Sequence, residues 1–87
     1  MLALAGAVPT IDAVRLNASL KALSTFGANP EGGVSRVGFS SADVEGHAYV
    51  RSLLEAAGLK VRTDAAGNLY GRREGSESLP TLLIGSH

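Results

Sequence analysis

Residues 79–87 read LPTLLIGSH, and this stretch decides the fold. Leu82, Leu83 and Ile84 follow one another with no polar residue between them. That pattern suits a strand at about 81–85 buried on both faces, as in sheets covered by helices on each side. Such a strand needs neighbours along its edges and cover on both faces. A chain of 87 residues buries only about 60 to 65% of its unfolded surface, so its own core is modest. The sequence therefore reads as the opening of a larger α/β domain.

Upstream, REGSESLP is a polar turn, and before it the period of the pattern is two. In LKVRT, Leu59, Val61 and Thr63 fall on one face and Lys60 and Arg62 on the other, DAAGN supplies turn residues, and LYGRR resumes the extended pattern. An antiparallel hairpin is expected over 59–73. Asp64 and Asn68 can hydrogen-bond nearby backbone and Gly67 can take positive φ, so none of the three requires a ligand to explain it.

Two helices precede the hairpin. Ser40 followed by Asp43 fits a capping box, and Ala42, Gly46, Tyr49, Val50, Leu53, Leu54 and Ala57 form an apolar stripe ending at Gly58. A helix is expected over 41–57. Another is expected over 10–26, with Thr10 as N-cap, Leu16, Leu20 and Leu23 on one face, and Gly27 as its stop. Between them ANPEGGVSRVGF reads as a loop, with a type I turn at Asn29-Pro30-Glu31-Gly32 and a short extended piece at 34–39.

Residues 1–9 are expected to form a flexible N-terminus and 10–87 the N-terminal part of an incomplete catalytic domain. The start MLALAGAVPT carries no positive lead, and its apolar stretch ends at Pro9, short of the ~20 residues that cross a bilayer. Eight Lys and Arg balance eight Asp and Glu, which speaks against nucleic acid or a membrane as partner. Cysteine is absent, removing disulfides and thiolate chemistry and making a reducing cytoplasm the default location.

Few side chains are left to carry chemistry. His87 follows the apolar strand, and in open α/β sheets ligand sites gather beyond the carboxyl ends of strands, so it is a candidate metal ligand. One imidazole does not make a site, since zinc takes three or four protein ligands. His47 sits at the margin of the second helix's stripe and reads as an ordinary helix histidine. Ser86 adjoins His87, but neighbours on a strand point to opposite faces and would not meet as nucleophile and base. Gly32-Gly33 lacks the strand, helix and Lys-Ser/Thr of a phosphate loop and reads as a turn. No pair of carboxylates is placed for acid and base roles.

Taken together, RLNASLKALSTFG, PEGGVSRVGFSSAD, AGLKVRTDAAGNLYGRREG and LPTLLIGSH resemble the N-terminal portion of the hydantoinase/carbamoylase branch of dinuclear metal amidohydrolases. That branch includes N-carbamoyl-L-amino acid hydrolases, allantoate amidohydrolases and β-ureidopropionases. The blocks occur in the right order from Thr10 to His87, which is more specific than any one of them.

The resemblance implies an α/β/α metallopeptidase-like catalytic domain hydrolysing C–N bonds in N-carbamoyl amino acids or related small ureido or amide compounds. It implies two divalent ions, zinc first and manganese, cobalt or nickel as alternatives, with His87 as the first ligand. Such ions, roughly 3.5 to 4 Å apart, would activate a shared water and polarise the ureido carbonyl. It also implies a homodimer formed through an inserted domain. The bridging aspartate, the glutamate base, the other ligands and that domain would all lie beyond residue 87, so the chain alone is expected to be inactive and to hold no metal stably. The competing expectation is a small non-catalytic structural or interaction module whose apolar strand seeks a partner.

Overall fold

The structure, a computed structural model, describes residues 8–86. Its elements run α1 (Ala13–Leu23), α2 (Ser41–Ala56), β1 (Lys60–Thr63) and β2 (Leu69–Arg72). The chain divides into two compact units, one ending at Val50 and one beginning at Arg51. The expected N-terminal segment 1–9 lies outside the described residues except for Val8 and Pro9, which are exposed and without secondary structure.

In the first unit α1 begins later than expected. Its N-cap is Asp12 rather than Thr10, and the Asp12 carboxylate accepts the Arg15 N–H at 3.0 Å. A carboxylate ranks above a threonine hydroxyl at this position and favours the positive end of the helix dipole. The helix also stops at Leu23, short of Phe26. There the Ser24 and Thr25 hydroxyls donate to the Lys21 and Ala22 carbonyls at 2.6 and 2.7 Å, and side chains that bond their own backbone favour helix ends. Arg36 completes the terminus, its Nη1 donating to the Leu23 carbonyl at 2.8 Å and the Phe26 carbonyl at 2.9 Å. The Leu23 carbonyl ends α1 and the Phe26 carbonyl lies in the turn after it, and a cation suits acceptors at the negative end of a helix.

Gly27 turns the chain at φ 85°, where a Cβ would collide with the Ser35 carbonyl oxygen. Beyond it the loop folds on itself: Ala28 and Val34 form an isolated antiparallel bridge, and the expected turn closes with the Gly32 N–H donating to the Asn29 carbonyl at 3.0 Å. Of the extended piece expected at 34–39, only Val34 makes a bridge. Gly46 of α2 is buried, with room for Arg36 Cδ at 3.3 Å and Leu23 Cδ1 at 3.8 Å from where its Cβ would stand. Phe26 and Tyr49 rings meet at 5.8 Å.

The cap of α2 is a variant of the expected box. Ser40 Oγ accepts the Asp43 N–H at 3.2 Å, but the Asp43 carboxylate takes the Phe39 N–H at 2.9 Å because the Ser40 N–H is already given to the Val37 carbonyl. That bond holds Phe39 at φ 65°, a backbone region that bulky residues rarely enter.

The second unit follows from local chemistry. At the end of α2, Gly58 takes φ 83°, its N–H donates to Glu55, and the Leu59 N–H reaches back to Leu54 at 3.1 Å. These are the two bonds of a Schellman cap. Leu54 and Leu59 converge on Gly71, where an added Cβ would stand 3.0 Å from each. The expected hairpin forms, with Lys60 opposite Arg72, Val61 opposite Gly71, Arg62 opposite Tyr70 and Thr63 opposite Leu69.

The buried third strand expected at 81–85 is not formed. Residues 79–86 carry no strand, and Leu79, Leu82, Leu83 and Ile84 are 71, 84, 79 and 85% exposed. A strand exists through its ladder partners, and among the described residues the sheet has two strands. The modest core expected of the chain is also missing: among the described residues no apolar side chain is fully buried. The structure thus shows the α/β mixture of two helices and a hairpin, without the larger α/β/α domain.

Candidate functional site

His87, the candidate metal ligand, lies outside the described residues. Among the described residues no three His, Cys, Asp or Glu side chains gather as a ligand set for a metal ion. The segment leading to His87, Ser86 included, is exposed.

His47 is an exposed helix histidine, as the sequence suggested. Its Nδ1 stands 3.6 Å from the Asp43 Oδ2 one turn earlier, the ordinary i, i+4 arrangement. Gly32 and Gly33 take φ 103° and 80° inside the 29–33 turn, and so belong to the turn.

The hairpin turn holds the most organised polar group. Asp64 Oδ1 accepts the Ala66 and Asn68 N–H groups at 3.0 and 2.9 Å, and its Oδ2 accepts the Asn68 amide and the Tyr70 hydroxyl, each at 3.0 Å. These bonds, the Asn68 side chain's first, lower the carboxyl's pKa from 3.8 to about 2, since each favours the ionised form. Asp64 and Asn68 are therefore turn-building residues. Across the strands the Arg62 guanidinium lies over the Tyr70 ring at 3.9 Å from its centroid, and the Arg72 Nε donates to Glu74 at 2.8 Å. That hydrogen bond and its charge raise the Arg72 pKa and lower that of Glu74.

Comparison with curated proteins supplies what this geometry does not. The chain is 40% identical over 79 residues to ureidoglycolate hydrolase of Arabidopsis thaliana, which covers 90% of the chain and 17% of the relative. It is 42% identical over 78 residues to N-carbamoyl-L-amino acid amidohydrolase of Geobacillus stearothermophilus, covering 88% of the chain and 19% of the relative. It is also 42% identical over 66 residues to allantoate amidohydrolase of Escherichia coli, covering 75% of the chain and 16% of the relative. The chain is homologous to a segment of these amidohydrolases. It spans between 16 and 19% of the length of these relatives. No family model matches the chain, and no solved structure matches it.

The feature that sequence reasoning missed is the Arg62–Tyr70 stack. It was recoverable in principle: a five-residue loop from Asp64 to Asn68 places 63 opposite 69 and hence 62 opposite 70. No helix among the described residues is long and apolar enough to cross a membrane.

Proposed function

We propose that this chain is the N-terminal part of the catalytic domain of a metal-dependent amidohydrolase that cleaves C–N bonds in N-carbamoyl amino acids or related ureido compounds. The observation that carries the reading is 40 to 42% identity to three differently named hydrolases over 75 to 90% of the chain. The three names share ureido or carbamoyl chemistry, so the reading rests on the bond type and not on one substrate.

The described residues do not by themselves fit a metal centre, and their part in this reading is scaffold. The capped helix α2 and the Schellman turn fix the start of the hairpin. His87 is proposed as one metal ligand, with two divalent ions completed by residues outside this chain. Zinc is the first choice, and manganese, cobalt and nickel share its preference for imidazole and carboxylate sets. A homodimeric cytoplasmic enzyme acting on a small molecule completes the proposal.

The test is enzymatic. The full-length protein carrying this sequence, purified and loaded with zinc or manganese, should release ammonia from N-carbamoyl-L-amino acids or allantoate and stop when a chelator removes the metal. Absence of metal-dependent release across these substrates would overturn the reading.

A further inference from the structure

We propose that the outer face of the hairpin is a binding site for a small oxyanion, organised around Arg62. The register places Lys60, Arg62, Tyr70 and Arg72 on one face of the two-stranded sheet. On that face the side chains are ordered in sequence. The turn N–H groups and Asn68 fix the Asp64 carboxylate, the carboxylate holds the Tyr70 hydroxyl, and the Tyr70 ring carries the Arg62 guanidinium at 3.9 Å. A guanidinium stacked on a ring keeps its N–H donors in its own plane, free for a bidentate acceptor. The Arg62 guanidinium has no hydrogen-bond partner among the described residues beside its contact with the ring.

Lys60, Arg62, Arg72 and Arg73 outnumber Asp64, Glu74 and Glu77 around this face by one positive charge. Glu74 is taken by Arg72 at 2.8 Å and also feels Lys60. Arg73 and Glu77 line the same open cleft of about 850 Å³, as do Ser76, Thr81 and the apolar Leu79 and Leu82. That volume suits a small molecule. A planar fork held in place before binding loses little freedom when a carboxylate or phosphate arrives, and forms paired charge-assisted bonds with it. The site is independent of the metal centre proposed above and stands or falls without it.

Calorimetric titration of the purified protein with inorganic phosphate and with acetate, in chloride at matched ionic strength, tests the proposal. Saturable binding of at least one anion is expected; tighter phosphate binding identifies a phosphoryl ligand, tighter acetate binding a carboxylate. Arg62→Gln should weaken binding about tenfold or more, and Tyr70→Leu should weaken it severalfold by releasing the guanidinium. Arg62→Lys should also bind less well, because it keeps the charge and loses the fork. Lys21→Gln, on α1, should bind as the unaltered protein does. Circular dichroism confirms that each variant is folded. No saturable binding by the folded protein, full affinity in Arg62→Lys, or equal weakening by Lys21→Gln and Arg62→Gln would overturn the proposal.

Discussion

At the scale of single residues, Asp64 is a carboxylate whose role is structural, as the turn sequence suggested. Its folded pKa lies at about 2 against an ordinary 3.8, so the folded state holds the proton less tightly than the unfolded chain. The stability this confers is fully present above the ordinary value and lost as pH falls from about 4 through 2. Urea-unfolding midpoints measured between pH 6 and pH 2 should fall through that window, and Asp64→Ala should remove that part of the fall. An unchanged acid profile in the variant would contradict this account. Gly27 and Gly58 give a second residue-scale contrast. Both take positive φ, but a Cβ on Gly27 collides with the Ser35 carbonyl and one on Gly58 meets open space. Gly58→Ala should cost roughly 1 to 2 kcal/mol, the penalty of the left-handed region alone, and Gly27→Ala clearly more in the same unfolding assay. Equal costs would show that the loop gives way.

At the scale of elements, what was legible in the sequence is what is decided locally. The Schellman cap at Gly58 is fixed by one glycine and the turn before it, and the hairpin by the chemistry of DAAGN, so α2 and both strands appear within a few residues of their expected bounds. The start of α1 was less legible because Thr10 and Asp12 are both good caps and only the carboxylate is used. The α2 cap is the element's most testable feature. Ser40→Ala removes the acceptor for the Asp43 N–H and should cost about 1 kcal/mol, read as a lowered urea midpoint together with faster amide exchange at residues 41–43. Exchange unchanged there would mean that the Asp43 to Phe39 bond suffices alone.

At the scale of the whole molecule, the sequence pattern and the structure part company at residues 79–86. LLI reads as a doubly buried strand because its composition demands burial, yet burial is a relation to neighbours and not a property of the segment. With no third strand to pair and no fully buried apolar side chain among the described residues, Leu82, Leu83 and Ile84 stay in solvent. The candidate site was legible to a similar degree. His87 could be named from the strand and from the resemblance, but a metal centre is assembled from distant segments, and nothing within the described residues completes it. The 87-residue chain given zinc or manganese should therefore hydrolyse N-carbamoyl amino acids no faster than metal alone, and measurable turnover by the chain would contradict its role as scaffold.

The central claim is that this chain delivers the first metal ligand of an amidohydrolase, and the metal content of the full-length protein with His87→Ala tests it most directly. The substitution lies outside the sequences of α1, α2, β1 and β2, so the fold read by circular dichroism should be preserved. The account predicts that elemental analysis finds bound divalent metal sharply reduced and that most hydrolysis of N-carbamoyl amino acids is lost with it. Full metal content and an unchanged rate in the folded variant would contradict it.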